Sequence, residues 1–225
     1  MEFVQSADFW IGLVKIVWIN IILSGDNAVV IALAARSLPP HQQKKAVLWG
    51  SGAAVVLRIV LTVVAAKLLE LSFLQIIGGC LLLWIGYQLL GSDENDAGEA
   101  KTYGSLMAAV RTILLADLVM SLDNVIAVAA AAHGSILLLV LGLAVSIPLV
   151  IFGSTLMIKL MERFPVIVLL GAALIGWVGG ETIANDTALH GYAMAHPSLH
   201  YIAAALGAAL VVGAGKFSTL KSRRA

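Results

Sequence analysis

Seven apolar segments, each close to the length that crosses a lipid bilayer, dominate this chain. A helix needs ~20 apolar residues to span the hydrocarbon core, because each residue advances it by ~1.5 Å. The segments lie near residues 9–35, 45–67, 72–90, 105–132, 135–158, 165–183 and 199–217. Backbone polar groups inside a bilayer must bond within the protein, so we expect every segment to be helical. The pattern predicts an all-α, polytopic membrane protein with seven transmembrane helices.

The composition argues against a soluble protein. Hydrophobic residues make up 60% of the chain and charged residues 12%, whereas a soluble domain carries ~25% charged residues. The single cysteine, Cys80, excludes an intramolecular disulfide and a thiolate-cluster metal site. Nucleotide-binding, metalloprotease and serine-hydrolase motifs are missing. We therefore expect neither an enzyme nor a nucleic-acid-binding protein, and no permanently bound cofactor.

The basic residues orient the chain. Lys15 and Arg58 lie inside apolar segments, and Lys67 lies near the outer face. The others fall on one side, at Arg36, Lys44, Lys45, Lys101, Arg111, Lys159, Arg163, Lys216, Lys221, Arg223 and Arg224. Cytoplasmic loops carry an excess of Lys and Arg, so the N-terminus is predicted outside and the C-terminus in the cytoplasm. The predicted location is the cell (inner or plasma) membrane, in contact with the lipid bilayer.

An Asp-Asn pair occurs twice inside these apolar segments. Ser24-Gly25-Asp26-Asn27 lies in the first segment, and Ser121-Leu122-Asp123-Asn124 lies in the fourth, 97 positions later when Asp26 is compared with Asp123. Further matches at a shorter offset join Gly50 to Gly142, Lys67 to Lys159, Glu70 to Glu162 and Trp84 to Trp177. The chain therefore reads as one domain, 1–225, that contains an internal duplication.

The duplication predicts two three-helix repeats, about 8–90 and about 105–184, followed by a seventh helix at about 199–217. A repeat with an odd number of spans must be inserted upside down relative to its copy. Inverted repeats of this kind place a substrate site near the membrane midplane, where the copies meet, and alternate access by rocking of one repeat against the other.

The acids in these segments favour a metal-cation site. An ionised carboxylate inside a membrane helix seldom persists without a partner or a function. Asp117 and Ser121 are four residues apart, and Asn124 is three further on, so an unbroken helix aligns all three on one face. Carboxylate, amide and hydroxyl oxygens favour Mg²⁺, Ca²⁺ or Mn²⁺, and Met120 beside this face would favour a transition metal such as Mn²⁺. The equivalent positions in the first segment are Asn20, Ser24 and Asn27.

Several of these residues have a structural alternative. Asn20, Ser24 and Ser121 suit helix packing, and Met120 suits a plain core position. Asp26 and Asp123 could form an ion pair with Arg58, which is either a fixed counter-ion or a cation displaced when a metal enters. Two further acids lie near the outer end of the sixth segment: Glu181 suits a vestibule or an interfacial position, and Asp186 suits the interface. Gly176 to Gly180 suits a close helix–helix contact.

The motifs resemble the TerC family of integral membrane proteins. The resemblance rests on Leu23-Ser24-Gly25-Asp26-Asn27-Ala28 and on Asp117 with Met120-Ser121-Leu122-Asp123-Asn124, and it covers about residues 8–215. This chain, with seven predicted spans, is similar to the short YjbE-type branch of the family, which is grouped with LysE-type transporters. This resemblance implies Mn²⁺ export, with Asp26, Asn27, Asp117, Asp123 and Asn124 as the metal-site positions.

The expected function is therefore secondary transport of a divalent cation, most simply Mn²⁺, out of the cytoplasm. Proton antiport is a natural coupling, because a carboxylate holds either metal or proton. Two alternatives stay open, an exporter of a small organic cation or amino acid and a metal-binding scaffold that transports nothing. The sequence leaves open whether the protein forms a homo-oligomer.

Overall fold

The computed structural model describes residues 7–22, 25–68, 71–91, 105–131, 135–196 and 198–222. These residues form helices joined by short turns, with no strand among them, so the all-α prediction is confirmed. The helices are α1 (Ala7–Ile22), α2 (Gly25–Ala35), α3 (Pro40–Leu68), α4 (Leu74–Gly91), α5 (Leu106–Ala131), α6 (Ile136–Arg163), α7 (Val166–Ala184), α8 (His190–Ala195) and α9 (Leu199–Ser222). A 3₁₀ turn, Thr187–Leu189, precedes α8.

Four of these helices contain stretches long and apolar enough to cross a membrane. The stretches are Pro40–Thr62, Leu137–Arg163, Val166–Ala184 and Leu199–Phe217, and shorter apolar helices occur at Phe9–Ile19, Gly25–Ala35 and Leu74–Leu90. A polytopic membrane protein is therefore supported. The count of seven spans and the inverted repeat stay predictions.

Proline and serine set several helix ends where the sequence predicts breaks. After α2 ends at Ala35, α3 begins with Pro40 in its first position, where the absent N–H removes no helical bond. Ser135 caps α6, because its Oγ accepts the N–H of Leu138 at 3.2 Å. Phe164 closes α6 and Pro165 precedes α7. The acidic stretch 93–96, which follows the third apolar segment, lies outside the described residues.

Close contacts fix the direction of neighbouring helices. A Cβ built at Gly50 of α3 would lie 2.7 Å from Cδ1 of Ile113 in α5, and eight residues further along both helices Arg58 contacts Ser121. Since both contacts advance together, α3 and α5 run parallel. Gly12 of α1 packs on Leu138 of α6, and four residues further along both helices Ile16 packs on Gly142. Helices α1 and α6 are therefore parallel too.

Helix α2 continues along α6 in the register that α1 sets. Ile16 of α1 contacts Gly142, and Ala28 of α2 lies 3.6 Å from a Cβ built at Gly153. From the first contact to the second, the position advances by 12 residues along α1 and α2 and by 11 residues along α6. Helix α2 is also the most enclosed part of the bundle, with Asn27, Ala28 and residues 30–35 all buried. Its first turn contains the half-buried Asp26.

Glycines bring α7 into backbone contact with two neighbours. Gly176 and Gly180 meet Gly207 and Ala203 of α9, and a Cβ built at Gly176 would lie 2.6 Å from the carbonyl oxygen of Gly207. The descending order of these pairs makes α7 and α9 antiparallel. On another side, a Cβ at Gly179 would lie 3.0 Å from the carbonyl oxygen of Gly79 in α4. The predicted close helix contact at Gly176 to Gly180 is confirmed.

Asp186 joins the end of α7 to the start of α4, a contact that the sequence did not predict. Its side chain is fully buried. Oδ1 accepts the N–H groups of Ala188 at 2.8 Å and Phe73 at 2.9 Å, and Oδ2 accepts those of Gln75 at 3.0 Å and Ile76 at 3.2 Å. Phe73 has a φ of 70°, a strained conformation for a bulky residue. The carboxylate therefore caps α4 and holds a strained turn in place.

The same hydrogen bonds decide the ionisation of Asp186. Burial alone would raise the pKa of this carboxyl. Hydrogen bonds from the backbone N–H groups of Ala188, Phe73, Ile76 and Gln75 lower the pKa by more than burial raises it. The net result is a pKa below the ordinary value, because each N–H group favours the charged form. Asp186 is thus a stable anion near neutral pH.

Candidate metal site

Three polar side chains bond one another in the contact between α3 and α5. Nη2 of Arg58 donates to Oδ1 of Asp117 at 2.5 Å, and Nε of Arg58 donates to Oγ of Ser121 at 3.0 Å. The Ser121 hydroxyl donates in turn to Oδ2 of Asp117 at 3.1 Å. Their exposed fractions are 4% for Arg58, 6% for Asp117 and 0% for Ser121. We call these three residues the Arg58 cluster.

The local sequence explains this arrangement. Asp117 and Ser121 lie one turn apart in an unbroken α5, so their predicted common face is confirmed by the hydrogen bond between them. The parallel packing of α3 then brings Arg58 opposite this face. Thr62 steadies the same turn of α3, since its hydroxyl donates to the carbonyl oxygen of Arg58 at 2.7 Å. Arg58 therefore pairs with Asp117. The pairing with Asp26 or Asp123 that the sequence suggests stays a prediction.

Asp26 brings a second carboxylate toward this cluster. It is half-buried in the first turn of α2, where its Oδ1 accepts the N–H of Asn27 at 2.8 Å. Helix α2 packs against both α3 and α5, the helices that hold Arg58 and Asp117. The first turn of a helix also favours a negative side chain, because the N–H groups there carry partial positive charge. Asp26 and the Arg58 cluster lie on three mutually packed helices and thus form one candidate unit.

The charges and oxygens of this unit fit a hard cation. Two carboxyl groups accompany one guanidinium, so these three groups would together carry one net negative charge with both carboxyls ionised. Carboxylate and hydroxyl oxygens are ligands that Mg²⁺, Ca²⁺ and Mn²⁺ accept. Within the part of the chain that the structure describes, no group of three or more His, Cys, Asp and Glu residues could hold a metal ion. Any third carboxylate must therefore come from elsewhere.

The remaining predicted site residues are distributed unevenly. Ser24 and the side chains of Asn20 and Asp123 lie outside the described residues. Asn124 is half-buried on α5, one turn beyond Ser121. Met120 is buried in the main apolar core, which is the structural alternative given for it. Their part in metal binding stays a prediction.

Glu181 lies apart from the Arg58 cluster. It lines a cavity of about 340 Å³ between α7 and α9, together with Trp177, His200, Tyr201 and Ala204. Its side chain is exposed. The structure therefore does not bring Glu181 together with Asp26 or Asp117.

Sequence reasoning missed the cap formed by Asp186. The available signal was weak: an acid just after a predicted helix, with Thr187 and Ala188 following it as in a local turn. Nothing in that pattern points to Phe73, Gln75 and Ile76, which lie more than a hundred residues earlier. Such a long-range cap becomes visible only when the helices are placed.

Comparison with known proteins gives the family. The sequence profile of the "Integral membrane protein TerC family" matches residues 5–224. The chain is 46% identical over 208 residues to the "Uncharacterized membrane protein YjbE" of Bacillus subtilis (strain 168), which covers 92% of this chain and 95% of that protein. No solved structure gives a significant match.

Two longer relatives match over less than half of their own length. The chain is 29% identical over 210 residues to the "UPF0053 inner membrane protein YoaE" of Escherichia coli (strain K12), covering 84% of this chain and 40% of YoaE. It is 26% identical over 245 residues to the "UPF0053 protein YegH" of the same strain, covering 100% of this chain and 45% of YegH. With the family profile matching almost from end to end, the chain belongs to the TerC family of integral membrane proteins.

Proposed function

We propose that this protein is a secondary transporter that exports divalent metal cations, Mn²⁺ foremost, from the cytoplasm. The observation that carries the proposal is the buried Arg58 cluster, with Asp26 on the helix packed beside it, inside a TerC-family membrane protein. Buried acids in a membrane bundle mark ion pathways more often than they stabilise the fold. The oxygen donors favour hard or borderline divalent cations, and Asp123 with Asn27 and Asn124 would complete the ligand set.

The helix contacts support the inverted repeat that such a transporter needs. Gly50 packs on Ile113 between spans two and four, and Gly142 packs on Ile16 between spans five and one. At the offsets found in the sequence, Gly50 corresponds to Gly142 and Ile16 to Ile113. The same contact is thus made twice with the repeats exchanged. A pseudo-two-fold relation between the halves is the simplest cause of such an exchange.

The helix directions support seven crossings. Spans separated by an even number of crossings should be parallel, as α3 with α5 and α1 with α6 are. Consecutive spans should be antiparallel, as α7 with α9 are. The register along α6 supports α1 and α2 as one span. We place the N-terminus outside and the C-terminus in the cytoplasm from the distribution of Lys and Arg.

Metal binding by the purified protein is the first test. Mn²⁺ is titrated against Mg²⁺ and Ca²⁺ with wild type, Asp26→Asn and Asp117→Asn. Each variant removes one charge with little change in shape, so we expect affinity to fall at least about tenfold, the effect of one lost charge-assisted contact. Glu162→Gln, an exposed acid on α6, is the control and should bind like wild type. Equal binding by all four proteins would contradict the proposed site.

Flux separates transport from the alternatives. Sealed vesicles containing the protein are given Mn²⁺ with and without a pH gradient, and the metal inside is followed with a fluorescent indicator. Gradient-dependent flux that Asp26→Asn abolishes supports proton antiport, and flux indifferent to the gradient excludes it. Binding without flux in wild type would indicate a metal-binding scaffold. Absence of binding would favour an exporter of an organic cation or amino acid.

A further inference from the structure

We propose that Arg58 competes with the transported cation for the carboxylate of Asp117, so that metal binding displaces the guanidinium and its return expels the metal. This inference rests on the proposed function, because it concerns how the same site binds and releases its cargo. It decides between the two roles that the sequence leaves open for Arg58, a fixed counter-ion and a displaced cation.

Both carboxylate oxygens of Asp117 already accept hydrogen bonds. Oδ1 accepts Nη2 of Arg58 at 2.5 Å, and Oδ2 accepts the hydroxyl of Ser121. A divalent cation coordinated by Asp117 would need at least one of these oxygens. A metal and a guanidinium at the same oxygen would repel each other strongly in this buried place, where little water screens them. One of the two cations must therefore yield.

A bound metal would also change the net charge around Asp26. Because Arg58 already contacts Asp117 and α2 packs against both α3 and α5, a metal held between Asp26 and Asp117 would lie within reach of the guanidinium. The two carboxylates neutralise a divalent cation completely once Arg58 has moved away. With Arg58 in place, the same unit would carry a net positive charge in a low-dielectric interior, which is unfavourable.

Ser121 gives Arg58 a second hydrogen-bond partner. Nε of Arg58 donates to the Ser121 hydroxyl at 3.0 Å, independently of the Nη2 contact with Asp117. The long side chain can thus pivot about this bond and release the carboxylate while it keeps one partner. The second repeat has no such cation, since Val150 corresponds to Arg58 and Asn20 to Asp117 at the repeat offsets. The proposed exchange between Arg58 and the metal therefore concerns only the half of the site that contains Asp117.

The test measures the position of Arg58 and the affinity for Mn²⁺ or its diamagnetic substitute Mg²⁺. In nitrogen-labelled wild type, the Nε–H NMR signal of Arg58 is assigned by its absence from Arg58→Lys. Saturating Mg²⁺ should shift that signal. Arg58→Lys keeps the charge but loses the forked geometry that spans Asp117 and Ser121. Its Mn²⁺ affinity should rise by about tenfold, the effect of one charge-assisted hydrogen bond.

Arg111→Lys, on an exposed position of α5, is the matched control and should leave both the Arg58 signal and the Mn²⁺ affinity unchanged. Metal binding with an unmoved Arg58 signal, or equal or weaker binding by Arg58→Lys, would overturn the inference and leave the proposed function intact. Absence of metal binding by wild type would overturn both. If Arg58→Lys does not fold, Arg58→Gln with Asp117→Asn supplies the assignment, and the wild-type shift decides.

Discussion

Replacement of Asp186 tests the strongest cap in the fold. Asp186→Ala leaves four backbone N–H groups without their acceptor, three of them at the start of α4 and one at Ala188. A hydrogen bond to a charged group contributes ~1.5–3 kcal/mol, but bonds that share one carboxylate are not additive. Water can reach part of the exposed turn at Phe73. We therefore expect a loss of roughly 3–5 kcal/mol in the free energy of unfolding, similar to breaking a buried ion pair.

The assay is thermal unfolding in detergent, with Asn185→Ala as the control. A loss of 1 kcal/mol lowers Tm by ~2–4 °C for a chain of this size, so Asp186→Ala should melt roughly 6–20 °C below wild type. Asn185 is the exposed neighbour, and its variant should melt like wild type. If Asp186→Ala melted with the control, the carboxylate would not be capping α4, and the link between α7 and α4 would be refuted.

The pH dependence supplies an independent check of the same carboxylate. Burial raises the pKa of Asp186, but its backbone N–H partners lower it to a net value below the ordinary one. The stabilisation is therefore fully present above the pKa of an unfolded Asp, ~3.9, and is lost as the pH falls through the folded-state value. The difference in Tm between wild type and Asp186→Asn should accordingly be constant near neutral pH and shrink in acid. A difference that grew on acidification would contradict this sign.

Three further predictions concern packing and charge, each measured by unfolding in detergent. Gly180→Leu should destabilise by at least ~1–3 kcal/mol, because its side chain would enter the backbone of α9, whereas Gly213→Leu, with open space around it, should cost less than 1 kcal/mol; equal losses would refute the close contact. Asp117→Asn should lower the free energy of unfolding by ~3–5 kcal/mol, because it leaves Arg58 buried without its anion. Adding Arg58→Gln should recover most of that loss; no recovery in the double variant would contradict the pairing. Gly142→Val should cost ~1–3 kcal/mol by displacing its neighbour in α1, and wild-type stability would contradict that contact.

The sequence predicts the helices well because their signals are local. Apolar length, Pro39 with Pro40, and Phe164 with Pro165 act within a few residues, so the breaks at these positions are found where expected. The glycines from Gly176 to Gly180 are equally readable, since only small residues allow helix backbones to approach this closely.

The partners in the site were harder to predict because they depend on register between distant helices. Spacing alone puts Asp117 and Ser121 on one face of α5, but the partner of Arg58 depends on α3 and α5 being parallel neighbours. That relation follows from the contact between Gly50 and Ile113, which no local pattern reveals. The cap by Asp186 escaped for the same reason. Its donors follow the turn at Phe73, far away in the sequence.

The glycine contacts of α7 also determine which parts of the bundle can move. Helix α4 lies in the first predicted repeat and α7 in the second, yet they meet backbone to backbone at Gly79 and Gly179, and Asp186 ties their ends together. Helix α9 is held to α7 in the same close manner. Displacing one of these three helices would break backbone contacts with another, so we expect the three to move together. In the proposed transport cycle, movement would then fall between this group and the helices that hold Asp26, Arg58 and Asp117.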